Sequence, residues 1–290
     1  MTAAILNGRT MSAELKNELR QEVQRYEHRY GHVPGLAIVL VEGDAASGFY
    51  SKAILKIARE IGAAARLEPL PAQTTAEELR AALLRLNSDE SVHGIIVQMP
   101  LPAHLPQELV ANTIAPEKDI DGISPKNAGN LCLGLPSFQP STAAAVIEIL
   151  ERGKIQLEGK HVVVLGRSNV VGKPLALLLL QKNATVTICH SRTPNLASFT
   201  RQADVLVAAV GRATMVKAEM VRPGATVIDV GTNALPEGGM VGDVDYATVQ
   251  EVAGAITPVP GGVGPLTNAL LFKQCIAAAW QQAAQRTEAR

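Results

Sequence analysis

One run restricts the fold of this chain more than any other: KHVVVLGRSNVVGKPLALLLLQKNATVTICHSRT, residues 160–193. The apolar stretch at 161–165 reads as a buried strand and Gly166 turns the chain. PLALLLL then continues as a helix, and a second strand follows at 184–190. Strand, glycine turn, helix and strand in that order start a doubly wound parallel sheet. Two further strand runs extend it, DVLVAAVG at 204–211 and ATVIDVGTN at 225–233.

The first half alternates in the same way. GLAIVLV (35–41), a helix around Tyr50, AEELRAALLRLN (76–87) and VHGIIVQMPL (92–101) imply a second parallel sheet covered by helices. The Pro/Gly/Asn-rich segment 100–141 reads as loops at the mouth of a site. A helix starts at Ser141, and a last helix follows TPVPGGVGPL and is expected to pack back on the first domain. The expected architecture is therefore α/β with two domains. Residues 1–139, joined by the helix 266–290, form an N-terminal α/β substrate domain, and 140–265 form a Rossmann-type domain.

Composition limits the partners. The 27 basic and 27 acidic side chains cancel, so net charge draws the chain neither to nucleic acid nor to an anionic membrane. Cys132, Cys189 and Cys275 are too few and too far apart for a disulfide framework or a zinc knuckle, which fits a reducing, cytoplasmic setting. The start MTAAILNGRT lacks the pattern of a targeting signal, and LALLLL is too short to span a bilayer. The six histidines show no ligand spacing, so no metal is expected.

At the turn, Gly166, Arg167, Ser168 and Gly172 lead into a helix N-terminus whose N–H groups can receive a pyrophosphate. The same pattern also serves as an ordinary strand-to-helix turn, and the following strand is what favours a cofactor. An NAD site places an acidic residue near the end of the second strand, where this chain reads CHSRT. Ser191 and Arg192, with Arg167, suit a 2′-phosphate, so NADP is the expected cofactor.

Four motifs carry a resemblance over nearly the whole chain: GIIVQMPLP (94–102), PEKDIDG (116–122), GKHVVVLGRSNVVGKP (159–174) and ITPVPGGVGPLT (256–267). They resemble the FolD family of bifunctional methylenetetrahydrofolate dehydrogenases and methenyltetrahydrofolate cyclohydrolases. The resemblance implies NADP-linked oxidation of a tetrahydrofolate derivative bound in a cleft between the domains, in a homodimer formed through the Rossmann domain. It implies that Tyr50 orients the folate, Gln98 sits beside the reacting centre, and Asp121 hydrogen-bonds the pterin. Pro260, Gly261 and Gly262 would line the cleft, and Thr232 would belong to the cofactor pocket. Each residue also has a plain structural use: Tyr50 as a core aromatic, Gln98 at a strand end, Asp121 in the turn before Gly122.

The chain departs from the family at one chemical position. The family's serine, tyrosine and two lysines read here as Ser47, Tyr50, Ile54 and Lys56, with isoleucine in the place of the catalytic lysine. At about 100° per residue, Tyr50, Ile54, Ile57 and Ile61 share a stripe, while Lys52, Lys56 and Arg59 point elsewhere. Further departures are Ser141 and Ala143 in the family's Pro-Cys-Thr-Pro, Thr232 in its Gly-Ile-Asn, and Gln274 for an asparagine. Hydride loss needs positioning only, whereas hydrolysis needs proton transfer worth about 10²- to 10⁴-fold. The expected outcome is retained dehydrogenase and impaired cyclohydrolase activity. The alternatives are a folate or NADP binder without turnover, and an oxidoreductase acting on another one-carbon adduct.

Overall fold

The computed structural model describes residues 2–43, 45–235 and 238–288, with the side chains of 45–47 and 288 outside that description. In chain order the elements begin β1 (Ala4–Ile5), α1 (Gly8–Tyr30), β2 (Gly35–Val41), α2 (Ala45–Ile61), β3 (Ala64–Leu70), α3 (Ala76–Ser88) and β4 (Gly94–Val97). There follow α4 (Gln107–Thr113), α5 (Pro125–Cys132), α6 (Ser141–Arg152), β5 (His161–Leu165), α7 (Gly172–Gln181), β6 (Thr185–Cys189), α8 (Leu196–Thr200) and β7 (Val205–Ala208). The last are β8 (Thr226–Asp229), β9 (Asn233–Ala234), β10 (Met240–Val241), α9 (Tyr246–Val249), β11 (Ala255–Ile256) and α10 (Val263–Glu288).

Two compact units result. One comprises Met1–Ala13 with Pro140–Thr267, the other Glu14–Gln139 with Asn268–Arg290. The sequence reading kept residues 1–13 with the N-terminal domain. They group instead with the six-stranded sheet because β1 pairs in parallel with β11, Ala4 opposite Ala255.

In the first unit the sheet order is β1-β11-β8-β7-β5-β6, all parallel, as a doubly wound chain requires. Its central strands carry VVVL, VLVA and TVI, continuous apolar or β-branched runs with both faces covered. Val163, Leu165, Leu206, Ala208 and Val227 form part of the core there. Parallel strands end together, so the turns after β5, β6, β7 and β8 gather at one edge.

The second unit has a three-stranded parallel sheet in the order β3-β2-β4. Ala37, Val39 and Ile95 pack against Leu79, Leu83 and Leu86 of α3 on one face. Thr75 starts α3 with a complete capping box, its side chain accepting from Glu78 while Glu78 reaches back to the Thr75 N–H. At the other end of α3, the buried Lys118 ammonium donates to the carbonyls of Leu86 (3.1 Å) and Asp89 (2.7 Å). That contact satisfies acceptors a helix end leaves open.

Candidate active site

The glycine turn is shaped by backbone crowding. Gly166 has φ +122°, and a Cβ there would run into the Ala209 carbonyl; at Gly172 it would run into the carbonyl of Gly166. Ser168 closes the turn itself: its Oγ accepts from the N–H of Val171 (3.1 Å) and of Gly172 (3.4 Å). The Lys173 N–H donates to the Ser168 carbonyl (3.1 Å). The helix N-terminus is thus partly satisfied by a serine that sequence reasoning had assigned to the ligand.

Above this turn lies a cavity of about 390 Å³. Arg167, Ser168, Ser191 and Arg212 line it, and no carboxylate does. Cations from the turns after β5 and β7 and hydroxyls after β6, without an acidic side chain, fit a phosphate-bearing nucleotide. Arg192 and Thr232 are exposed and do not line this cavity. The Arg192 N–H donates to His190 Nδ1 (3.1 Å), which shapes the turn through its backbone.

Arg212 escaped the sequence reading, and so did the residue that places it. The buried Asp243 carboxylate accepts from the N–H groups of Val210 (2.6 Å), Gly211 (3.0 Å) and Arg212 (2.8 Å), and from Asn233 Nδ2 (3.0 Å). Asp229 lies beside it and accepts from the N–H groups of Gly231, Asp243 and Val244, each at 2.9 Å. Burial pushes the Asp229 pKa up to about 6, with the three N–H donors opposing and the neighbouring Asp243 charge adding. These carboxylates tie the loops after β7 and β8 together. The only local sign is an Asp after a glycine in VGDVD.

The loop before α10 contains a cis Val259–Pro260 peptide bond and Gly261 at φ +118°. Pro260 is exposed, whereas Gly261 and Gly262 are buried. The Arg9 N–H donates to the Gly261 carbonyl (3.2 Å), and a Cβ on Gly8 would strike Gly262. Backbone geometry already demands glycine in this loop, apart from any ligand: Gly261 by its positive φ, and Gly262 because a Cβ there would strike the Pro258 carbonyl and the Thr257 side chain.

In the second unit, the buried face of α2 carries Ser51, Ile54, Ala58 and Ile61, while Ile57 is half-buried. The expected stripe of 50, 54, 57 and 61 is displaced by one residue at two of its four positions. Ile54 is 0 % exposed, a core residue. Lys52 is exposed, and Lys56 is exposed with its ammonium 4.0 Å from Glu60, so neither points into the core. The Ser47 side chain lies outside the described residues.

Tyr50 caps that face at 37 % exposure, so it is not the core aromatic of the plainer reading. Burial raises its phenol pKa, and the nearby Asp121 charge raises it further. Tyr50 and Asp121 are therefore brought together. Gln98, buried at the end of β4, hangs from a backbone bond to Val39 (2.9 Å) just before the cis Met99–Pro100 bond.

Asp121 is presented by a braced loop. The fully buried Asp119 accepts from the N–H groups of Ile123 (3.1 Å) and Ser124 (2.8 Å) and from Asn127 Nδ2 (2.9 Å). Burial raises its pKa against those donors. Gln274 holds the same loop, donating to the carbonyls of Ile120 (2.8 Å) and Gln139 (2.7 Å) and accepting from the Gln139 N–H (2.7 Å). The sequence reading placed Gln274 only as a departure from a pattern; it is a brace. A larger cavity of about 540 Å³ lies near the opposite ends of the strands. Its arginines are already paired, Arg66 with Glu68 (2.8 Å) and Asp89 (2.6 Å), and Arg286 with Glu90 (3.4 Å).

The profile of the tetrahydrofolate dehydrogenase/cyclohydrolase catalytic domain matches residues 6–121, and that of the NAD(P)-binding domain of the same proteins matches 140–283. The bifunctional protein FolD of Chloroflexus aurantiacus is 48% identical over 278 residues, 96% of this chain and 98% of the relative. That of Dehalococcoides mccartyi, strain CBDB1, is 50% identical over 288 residues, covering 96% and 97%. The FolD methylenetetrahydrofolate dehydrogenase/cyclohydrolase of Campylobacter jejuni superposes with a TM-score of 0.95 at 41% identity, covering 97% and 99% of the two chains. A Trypanosoma brucei dehydrogenase-cyclohydrolase, solved with NADP cofactor and inhibitor, gives 0.93 at 38% identity, covering 98% and 99%. With the phosphate-fitting turn in one unit and the Tyr50–Asp121 pair in the other, the chain belongs to the tetrahydrofolate dehydrogenase/cyclohydrolase family.

Proposed function

We propose that this protein oxidises 5,10-methylenetetrahydrofolate to the 5,10-methenyl cation with NADP, and that its hydrolysis of that cation to 10-formyltetrahydrofolate is impaired. The observation that carries the proposal is Ile54, an apolar and fully buried side chain where the family places its catalytic lysine.

NADP, held at the Gly166–Gly172 turn, would supply the hydride acceptor; nitrogen lone pairs already on the folate would drive loss of hydride from the methylene carbon. The chain's part is to hold two partners. The Gly166–Gly172 turn, with Arg167 and Ser168, cradles phosphates, and Ser191 and Arg212 supply the positive, hydroxyl-rich surroundings a 2′-phosphate prefers. Tyr50 orients the folate, Asp121 takes hydrogen bonds from the pterin, and Gln98 stands at the reacting carbon. Pro260, Gly261 and Gly262 line the ligand.

Hydrolysis asks for more, since water must lose a proton as it adds to the methenyl carbon. Isoleucine can neither accept nor donate one, and the lysines at 52 and 56 face away from the core. We also place the protein in a reducing compartment as a homodimer through the dinucleotide unit, whose sheet ends at the open edge strand β6.

An assay with 5,10-methylenetetrahydrofolate and NADP separates the steps by following methenyl-folate and reduced cofactor independently. Equal growth of both, with methenyl-folate decaying only at its spontaneous rate, is expected. Rapid enzymatic decay would defeat the claim about hydrolysis, and absence of reduced cofactor would defeat the dehydrogenase reading.

A further inference from the structure

One buried polar group in the Glu14–Gln139 and Asn268–Arg290 unit has no part in the proposal above. Asn268, in α10, is 8 % exposed, and its Oδ1 has no hydrogen-bond partner; no other buried side-chain nitrogen or oxygen among the described residues is in that condition. A buried acceptor without a donor destabilises a fold. A donor from outside the folded chain, water or ligand, would satisfy it.

The register of α10 against β4 shows where this oxygen lies. A Cβ on Gly94 would meet Cys275 Sγ at 3.2 Å, so the Gly94 side of β4 faces α10. Side chains alternate along a strand, which puts Ile96 and Gln98 on that same side. Ile95 and Val97 belong to the opposite face, with α3. Asn268 precedes Cys275 by two helical turns, on the same face of α10 and about 10 Å along its axis.

The direction of that step follows from Gln282, two turns beyond Cys275. It donates to the carbonyl of His93, the residue before Gly94, at 2.8 Å. Helix α10 therefore runs against β4, and going back from Cys275 to Asn268 leads from Gly94 toward Gln98, about 13 Å up the strand. Helix α2 lies in this layer too. The steps β2 to β3 and β3 to β4 move in opposite directions across the sheet, and right-handed crossovers then set α2 and α3 on opposite faces. Gln98, Ile54 and Asn268 share one layer, and isoleucine offers no donor to it.

We infer that Asn268 is a substrate-positioning residue, its Oδ1 accepting a hydrogen bond from an N–H of the reduced pterin bound beside Gln98. The inference rests on the folate reading. It adds an acceptor to a site in which Asp121 had been the acceptor and Gln98 the neighbour of the reacting carbon.

Three variants test it: Asn268→Leu, which removes the acceptor at similar volume, Asn268→Ala as a smaller alternative should leucine not fold, and Asn268→Ser, which keeps an oxygen. For each, the melting temperature without ligand, KM and kcat for 5,10-methylenetetrahydrofolate, and Kd for NADP are measured. Asn268→Leu is expected to melt higher than wild type while its folate KM rises about tenfold. Its kcat and NADP affinity stay within about twofold, and Asn268→Ser shows a smaller KM rise than Asn268→Ala. Active wild type together with an unchanged folate KM in Leu and Ala overturns the inference alone, leaving Asn268 a frustrated core amide. Wild type without methylenetetrahydrofolate turnover overturns the folate reading and this inference with it.

Discussion

At the residue scale, Ile54 is a packing residue first. A side chain with no exposed surface contributes through the apolar area it removes from water and the contacts it makes. Truncation of Ile54 to alanine is expected to cost about 2–5 kcal/mol, read as a lower denaturant midpoint. Methylene-folate oxidation should stay within a few-fold, since no step of that reaction uses this side chain. A collapse of kcat in a still-folded Ile54→Ala variant would show that this position shapes the site more directly. Tyr50, one turn earlier on α2, shows the opposite balance, leaving 37 % of its surface exposed.

At the element scale, the turn regions at the ends of the parallel strands are held by acidic side chains buried beneath them. Asp243 gathers four donors from residues 210–212 and 233, so Asp243→Ala leaves four groups to be satisfied by other means. The expected result is an NADP Kd at least about tenfold higher, with the Asp243→Asn variant, which keeps one carbonyl oxygen, falling between it and wild type. Fluorescence titration of NADPH binding measures this, and equal affinities in all three proteins would refute the role. The unit around Gly166 was legible because its signals are local: an apolar run, a glycine, a helical period. Asp243 and Arg212 were not, because hydrogen bonds between residues about thirty positions apart leave no periodic trace. The α2 stripe was misplaced at Ile57 for a related reason. Period alone does not say which of two adjacent positions the sheet covers, and Ala58 rather than Ile57 meets it.

At the scale of the whole molecule, the two units carry opposite responses to acid. His93, in the three-stranded unit, accepts from the Gly35 N–H at Nδ1 (3.0 Å) and meets the Tyr26 hydroxyl at Nε2 (3.3 Å). Burial lowers its pKa to about 4, with the His32 charge adding. Its folded value lies below its unfolded value of 6.5. The stability it lends is therefore complete above pH 6.5 and lost as pH falls toward 4. Asp229, in the six-stranded unit, has a folded pKa of about 6 against an unfolded value of 3.8. It takes up its proton first in the folded state, so its contribution improves as pH falls from 6 toward 3.8. Each effect is bounded at about 3 kcal/mol. Hydrogen exchange compared at pH 7 and pH 5 should show protection in β2 and β4 falling more in wild type than in His93→Gln. In β7 and β8, protection should change in the opposite sense relative to Asp229→Asn. Parallel slopes for wild type and both variants would exclude these groups as the source.

The acidic tie under the cofactor loops also sets what a protein engineer is free to change. Asp229 and Asp243 grip main-chain N–H groups, so side-chain identity at 212 is left open to exploration of cofactor preference, whereas Val244 is buried in the core and Val210 packs against it. Proline is the residue to withhold from 210–212, 231, 243 and 244, because it has no N–H to give. A library confined to position 212, proline excluded, keeps the loops in place while it varies the charge and size that face the nucleotide there.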